Sequence, residues 1–255
     1  MSLARALADW RALLGADAVA IQGEALARFT RDTSAFSQAI HGVVRPTSRE
    51  LIPALVRIAN RERVALYPIS TGRNWGYGSA NPPRPGCVVV DLSALREICF
   101  DSDAGLATVE PGVTQGQMHE YLRSRNLPFL VPVTGAGPEC SLMGNALERG
   151  FGLTPHTDHF GAVTAIEAVL PNGQTYRSAW RTSVETLWTG LTSGELVLTW
   201  TGYSHKGTSG WSHGSLSRSH LTRSASLHCF SVSSRTLGSR ARSFACATYC
   251  GRTEH

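Results

Sequence analysis

A glycine-rich stretch from Pro68 to Gly78 contains the residues of this chain that are best suited to bind an anion. It reads Pro-Ile-Ser-Thr-Gly-Arg-Asn-Trp-Gly-Tyr-Gly, and its one charge is that of Arg73. Because glycine tolerates positive φ and close approach, successive amides in such a loop can converge on a phosphate. The hydroxyls of Ser70 and Thr71 and the amide of Asn74 add donors. The stretch predicts a phosphate-binding loop, with a plain glycine-rich surface turn as the alternative.

The flanking residues argue against two common phosphate-binding motifs. The stretch does not end in Gly-Lys-Ser/Thr, as a P-loop does, and no helical pattern opens directly after it, as in a dinucleotide fingerprint. A short apolar run at residues 64–67 precedes it and predicts a strand that leads into the loop.

Three later blocks follow the loop in order along the chain. Residues 109–114 read VEPGVT, residues 142–150 read LMGNALERG, and residues 153–159 read LTPHTDH. With the loop, they resemble the FAD-binding domain of the vanillyl-alcohol oxidase and 4-cresol dehydrogenase flavoproteins, over roughly residues 40–177. The resemblance implies a PCMH-type FAD-binding domain of the α+β class with two subdomains, and FAD as the cofactor. The parent enzyme would transfer a hydride from an alcohol, phenol or hydroxy acid to flavin N5.

The resemblance also implies which residues contact the cofactor. The loop would hold the diphosphate, a turn at Gly144 and Asn145 would lie over the flavin ring, and a strand edge at residues 166–169 would face adenine or ribose through backbone groups. The complete predicted set is Pro68, Ser70, Thr71, Gly72, Arg73, Asn74, Trp75, Gly76, Tyr77, Thr134, Gly135, Met143, Gly144, Asn145, Thr154, Asp158, Ile166 and Val169.

The sequence assigns no catalytic residue. Vanillyl-alcohol oxidase has an acidic residue before the corresponding Gly-Asn turn, whereas residues 131–138 contain none. The loop at 68–78 also has no histidine or cysteine for a covalent flavin link. His156 and His159 could serve as a general base, but a hydrogen-bonded structural role is the favoured interpretation. Because the pair lacks a third ligand, no metal site is predicted.

Periodicity predicts the elements that would position these residues. The expected elements are an amphipathic helix over 3–14 that ends at Gly15, a second helix from about residue 51 with Pro53 in its first turn, a strand at 87–92, a hairpin of 98–100 and 106–109, a helix over 115–125, and a hairpin of 163–170 and 174–177. Together they predict a mixed α and β domain over residues 1–177, which is long enough to bury a core.

The composition changes abruptly at Ser178. Residues 178–255 contain sixteen serines and none of the twelve prolines, and they account for the whole formal net charge of +5. If each triplet starts one base earlier, allowed codons for residues 201–214 can encode DGLFTQGNFGVVTR, which resembles a continuation of the same family. We therefore predict that the reading frame is lost near residues 178–180. Residues 178–255 would then form a low-complexity, non-native or disordered tail.

A different class of function would use this basic tail directly. In that alternative the chain is a noncatalytic binding protein, and the tail is an arm that binds nucleic acid. In the favoured interpretation the chain holds the FAD-binding half, lacks the substrate-binding cap and is inactive alone. A hydroxy-acid dehydrogenase with a different cap is a variant of that interpretation.

The number and spacing of the cysteines and the hydropathy of the chain indicate its cellular location. Upstream of residue 178, Cys87, Cys99 and Cys140 are odd in number and scattered, which is typical of reduced thiols in a cytoplasmic protein. No apolar run has the length needed to span a bilayer. We expect a cytoplasmic protein with a small-molecule substrate and with neither nucleic acid nor membrane as a partner. The sequence makes no prediction of the oligomeric state.

Overall fold

The computed structural model describes residues 2–30, 37–73, 80–102, 105–152, 159–177, 227–232 and 242–243. Its helices are α1 (Leu3–Leu14), α2 (Glu24–Ala27), α3 (Ile52–Glu62), α4 (Gln115–Ser124) and α5 (Leu142–Leu147). Its strands are β1 (Val19–Ala20), β2 (Gly42–Val44), β3 (Leu66–Ile69), β4 (Val88–Asp91), β5 (Ile98–Asp101), β6 (Leu106–Val109), β7 (Phe129–Leu130), β8 (Val163–Val169), β9 (Thr175–Arg177), β10 (Leu227–Val232) and β11 (Arg242–Ser243). Short 3₁₀ turns lie at Ala16–Ala18, Arg49–Leu51 and His159–Ala162. None of the helices in these described ranges has the length and apolar character of a membrane span.

The first subdomain is built on a four-stranded sheet with the order β1-β2-β4-β3. Strands β2, β4 and β3 are parallel, and β1 is antiparallel to β2. Because successive side chains of a strand point to opposite faces, β4 contributes to two cores. Val88 and Val90 pack with α1 and α3, whereas Val89 lies on the other face in a buried cluster with Phe29 and Ala80. Both faces of this sheet are therefore covered, as expected for parallel strands.

Helices α1 and α3 form the predicted pair over one face of this sheet. Trp10 is completely buried, and its indole N–H donates to the carbonyl oxygen of Leu55 at 3.1 Å. Helix α1 ends at Gly15, whose φ of 93° lies in the region that favours glycine. Pro53 lies in the first turn of α3, where its missing N–H costs no helical hydrogen bond.

The strand predicted at residues 64–67 begins two residues later in the structure. Arg63 ends α3 in the left-handed conformation, with φ 56° and ψ 39°. The N–H of Val64 then donates to the carbonyl oxygen of Ala59 at 2.9 Å, so this residue still belongs to the end of the helix. Strand β3 consequently starts at Leu66 and extends through Ile69.

The second subdomain is a five-stranded antiparallel sheet with the order β5-β6-β10-β8-β9. The two hairpins predicted from the sequence, β5 with β6 and β8 with β9, are both present. Strand β10 lies between them, so this sheet takes one strand from beyond residue 177. Strands β10 and β11 are the described part of residues 178–255, and the loss of reading frame remains a prediction.

Helices α4 and α5 pack against the second sheet and form its core. Fully or nearly fully buried side chains come from α4 (Met118, Leu122), from α5 (Leu142, Met143, Ala146) and from the strands (Ala107, Val109, Val163, Ile166, Ala168). Helix α4 matches its predicted range to within one residue. The short helix α5 was not predicted as a separate element.

The chain passes from the first subdomain to the second between β4 and β5, and hydrogen bonds link this connection to the residues that follow β6. The N–H of Gly112 donates to the carbonyl oxygen of Leu95 at 2.7 Å. The buried carboxylate of Glu110 accepts the N–H of Glu97 through Oε2 at 2.8 Å. Burial raises the pKa of the Glu110 carboxyl above its ordinary value, against the opposing effect of that hydrogen bond.

The raised pKa of Glu110 predicts a pH-dependent effect of Glu110→Gln. The native state binds the Glu110 proton more tightly than the unfolded chain does, so protonation adds to the free energy of unfolding. This contribution is complete below the pKa of the unfolded chain, and it is lost as pH rises through the pKa of the folded chain. Glutamine does not ionise, and its oxygen can still accept the Glu97 N–H. We therefore expect the free energy of unfolding of the variant, relative to wild type, to increase from about pH 4 to about pH 7 in urea titrations. The exposed Glu24→Gln gives the baseline; the same pH dependence in both variants would contradict the prediction.

Candidate functional site

The described part of the glycine-rich loop follows strand β3 at the carboxyl edge of the parallel strands. Pro68 belongs to β3 and lies opposite Val90, and residues 70–73 continue beyond the strand. Ligands of open α/β sheets commonly bind at this edge. Gly72 has φ 65°, and a Cβ at this position would lie 2.9 Å from the Cβ of Ala80. The tight turn therefore requires glycine at this position.

One hydrogen bond connects this loop to the second subdomain. The hydroxyl of Thr71 donates to the carbonyl oxygen of Glu139 at 3.0 Å, and Thr71 is 7% exposed. Glu139 precedes α5 and follows the segment that contains Thr134 and Gly135. The loop therefore contacts a residue 68 positions away in the sequence, which lies between the predicted site residues at 134–135 and those at 143–145.

The segment before α5 is anchored on the first turn of α4. The first N–H groups of a helix have no partner within the helix. Here the N–H of Gln115 donates to the carbonyl oxygen of Cys140, and the N–H of Gly116 donates to that of Pro138, both at 2.9 Å. The thiol of Cys140 is buried, and burial raises its pKa. This thiol therefore has the properties of a structural cysteine and not of a nucleophile.

Gly144 and Asn145 lie within helix α5, whereas the sequence predicted a turn at these residues. Ser141 caps the helix: its hydroxyl donates to the carbonyl oxygen of Pro111 at 2.7 Å and accepts the N–H of Gly144 at 3.0 Å. The helix begins at Leu142 because this cap satisfies one of its free N–H groups. Met143 is 3% exposed and its side chain belongs to the second core, so only its backbone is left for a cofactor contact.

Asn145 is held by a buried histidine. The Nδ1 of His159 lies 2.5 Å from the Oδ1 of Asn145, and His159 is 4% exposed. The backbone adds two bonds: the N–H of Gly150 donates to the carbonyl oxygen of Asn145 at 2.8 Å, and the N–H of His159 donates to that of Gly150 at 3.2 Å. This arrangement agrees with a structural role for His159.

Ile166 and Val169 differ from the expected strand edge. They belong to β8, which is an interior strand between β10 and β9. Ile166 is 2% exposed in the second core, and Val169 is 7% exposed and packs with the core of the first subdomain. The expectation of a free edge was wrong because a strand from beyond residue 177 pairs with β8. Contact between these two residues and adenine or ribose stays a prediction.

Several predicted site residues lie outside the described part of the chain, namely Asn74, Trp75, Gly76, Tyr77, Thr154 and Asp158. His156 lies outside it as well. Among the residues that the structure does describe, no group of three or more His, Cys, Asp or Glu side chains is arranged to hold a metal ion.

Sequence reasoning missed three residues that shape the site. They are Gln115, whose side chain contacts the segment before α5, Glu139, which accepts from Thr71, and Ser141, which caps α5. Only Ser141 carried a local signal, since serine before an apolar run is a typical N-cap. The other two act through contacts between distant parts of the chain.

The described residues fit the diphosphate of FAD. The hydroxyl of Ser70 and the exposed guanidinium of Arg73 follow a strand at the ligand-binding edge of a parallel sheet. Gly72 supplies the positive φ that brings successive amides together. The side chain of Thr71 is already used by Glu139, so its remaining contribution to the site is its backbone.

Fold and site together define a flavin-binding domain. The chain belongs to the FAD-binding domain family, whose model matches residues 40–179. Its similarity to the flavoprotein subunit of 4-cresol dehydrogenase from Pseudomonas putida is 36% identity over 178 residues, 68% of this chain and 34% of that protein. It is 39% identical over 173 residues to 1'-carboxy-chondrochloren decarboxylase from Chondromyces crocatus, which covers 68% of this chain and 32% of that protein.

The solved structures agree with this family. The structure of p-cresol methylhydroxylase with substrate bound superposes with a TM-score of 0.70 and 28% identity, over 90% of this chain and 42% of that chain. The predicted family, fold class and FAD cofactor are therefore confirmed. The comparisons lend no support to the alternative of a noncatalytic binding protein. The chain spans about a third of the length of the curated relatives it matches.

Proposed function

We propose that this chain is the FAD-binding part of an FAD-dependent oxidoreductase, and that FAD binds between the loop at 70–73 and the segment at 134–145. The observation that carries the proposal is the hydrogen bond from Thr71 to Glu139, which connects the loop at 70–73 to the segment at 134–145. When bound, FAD supplies the hydride acceptor, and the protein supplies orientation and electrostatics.

Each half of the site has its own role in this proposal. The loop half binds the diphosphate through backbone N–H groups and the charge of Arg73, which is exposed and so available to a ligand. The other half, Thr134, Gly135, Gly144 and Asn145, lines the flavin with small or half-buried groups. Small residues allow the main chain to approach a flat ring.

The substrate class that we propose is a small alcohol, phenol or hydroxy acid. Relatives named for 4-cresol, D-2-hydroxyglutarate and D-lactate support this range. Substrate contacts would come largely from parts of the parent protein other than residues 1–177, and the catalytic residue is unassigned. A cytoplasmic location is proposed from the scattered free cysteines Cys87, Cys99 and Cys140.

We also propose that residues 178–255 are translated out of frame. The support is the change of composition at Ser178 and the family-like segment that the shifted frame can encode over residues 201–214. The DNA across codons 170–215 decides this proposal. An open shifted frame that continues past residue 255 is the expected result, and codons incompatible with the shifted segment would refute it.

The FAD site is tested by titrating the full chain into FAD and following quenching of flavin fluorescence. We expect saturable binding that ADP competes away, because ADP carries the adenine and the diphosphate. Arg73→Ala should raise the dissociation constant about fivefold, the effect of losing one exposed charge contact with phosphate. Arg63→Ala is the matched control, since Arg63 is exposed and precedes β3 at the opposite edge of the sheet. Absence of FAD binding, or equal effects of the two variants, would contradict the proposal.

A further inference from the structure

We propose that Gln115 is a positioning residue for the FAD site, because its side chain clamps the turn at residues 134–137. The proposal rests on the FAD site proposed above and adds to it a residue outside the predicted contact set. Gln115 is the first residue of α4 and is only 5% exposed. A buried amide of this kind must find partners for both its oxygen and its nitrogen.

The partners of this amide are all backbone groups of one turn. The N–H of Thr134 donates to Oε1 of Gln115 at 2.7 Å. The Nε2 of Gln115 donates to the carbonyl oxygens of Gly137 at 2.5 Å and of Thr134 at 3.4 Å. A single side chain therefore holds both ends of the turn.

The turn also has a hydrogen bond within it, and its tip is exposed to solvent. The hydroxyl of Thr134 accepts the N–H of Ala136 at 3.2 Å. Gly137 has φ 95°, so the chain reverses there in a conformation that favours glycine. Gly135, at the tip, is exposed. Because the groups that face α4 are bound to Gln115, the turn presents the exposed tip as its free side.

The clamp lowers the cost of ordering this turn when FAD binds. A turn with two glycines has a large conformational entropy to lose, and a turn that is already held in place loses less on binding. The clamp needs an acceptor and a donor in one side chain of this length. Ionised glutamate has the length of glutamine but only accepts, so it would face two carbonyl oxygens with no hydrogen to offer.

The test compares Gln115→Glu and Gln115→Met with Gln117→Glu and Gln117→Met in the full chain. Gln117 lies two residues along the same helix, is half-buried, and donates to the carbonyl oxygen of Arg96 at 3.0 Å on an exposed surface. The pairs are therefore matched in residue type, helix and substitution. The readouts are the FAD dissociation constant from fluorescence, the visible spectrum of bound flavin, and the dependence of both on pH.

At neutral pH we expect Gln115→Glu to raise the dissociation constant about tenfold or more and to alter the flavin spectrum. Because the site is buried, the pKa of the introduced carboxyl should be raised, and its protonated form becomes populated as pH falls towards about 5. The protonated carboxyl can again donate to the carbonyl oxygen of Gly137, so FAD binding should recover towards the wild-type value. Gln115→Met should lose affinity at every pH. Both Gln117 variants should stay within about twofold of wild type.

Three outcomes would overturn the proposal for Gln115 alone while FAD binding to wild type stands. They are unchanged FAD binding by a folded Gln115→Glu chain, equal losses in the Gln115 and Gln117 variants, and a loss in Gln115→Glu that does not recover at low pH. Should the Gln115 variants fail to fold, hydrogen exchange in the wild type decides, because a clamped Thr134 amide must be protected. A wild type that does not bind FAD refutes the proposed function itself, and the positioning role with it.

Discussion

Replacing Gly112 with alanine is expected to destabilise the folded chain by about 3 kcal/mol or more, because the added methyl group would meet backbone that cannot move aside. A Cβ at this position would lie 2.4 Å from the carbonyl oxygen of Leu95 and 2.6 Å from that of Ser93. The N–H of Gly112 also donates to the same Leu95 oxygen at 2.7 Å. The clash would therefore separate the two subdomains at the point where the chain joins them.

The measurement for Gly112→Ala is the urea midpoint of unfolding of the full chain. Gly116→Ala is the control, because Gly116 lies in the first turn of α4 and its added Cβ would approach the Cβ of Pro138 to 3.1 Å and the Pro138 carbonyl oxygen to 3.2 Å, both longer than the contacts at Gly112. Alanine also favours the helix there, so we expect a change within about 1 kcal/mol. A Gly112→Ala chain that unfolds at the wild-type midpoint would show that the junction can adapt.

Elements with a strong local signal were predictable from the sequence. Helix α1 combines apolar side chains at helical spacing with Gly15 at its end, and α3 has Pro53 in its first turn. The two hairpins, β5 with β6 and β8 with β9, follow from apolar runs separated by turn residues. In each of these cases the residues that specify the element lie within it or directly beside it.

Elements that depend on distant partners were not predictable. Helix α5 has only six residues, too few for a periodic pattern, and its cap at Ser141 is fixed by the carbonyl oxygen of Pro111 thirty residues earlier. One edge of β8 pairs with β10, a strand from beyond residue 177, whereas its other edge pairs with the nearby β9. The residues of an element and its immediate neighbours do not indicate such distant partners.

The same division applies to the candidate site. The glycine spacing of the loop at 68–78 predicted a phosphate-binding segment, with a surface turn as the alternative, and the phosphate contact itself stays a prediction. The contacts that assemble the site join Thr71 with Glu139, and Gln115 with Thr134, across 68 and 19 positions of sequence. Spacing along the chain cannot reveal which of its five glutamines reaches a particular backbone turn, so these roles required the structure.

The second large effect is expected for Gly150→Ala, which should disrupt the end of α5 where Asn145 is held. A Cβ at Gly150 would lie 2.0 Å from Nδ2 and 2.2 Å from both Cγ and Oδ1 of Asn145. The amide cannot rotate away without leaving His159, whose Nδ1 lies 2.5 Å from its oxygen. We expect a loss of about 2 kcal/mol in the free energy of unfolding, and weaker FAD binding because Asn145 is displaced.

A double-mutant cycle identifies the origin of this loss. Asn145→Ala removes the three atoms that the new methyl group would strike, so Gly150→Ala should cost little in that background even though Asn145→Ala is itself destabilising. The coupling energy between the two substitutions should therefore be favourable by about 1 kcal/mol or more. If the free-energy losses of the two substitutions were simply additive, the cost of Gly150→Ala would arise from the backbone conformation of residue 150 and not from a clash with Asn145. In that case the contact between Asn145 and His159 would lose its role in shaping the site.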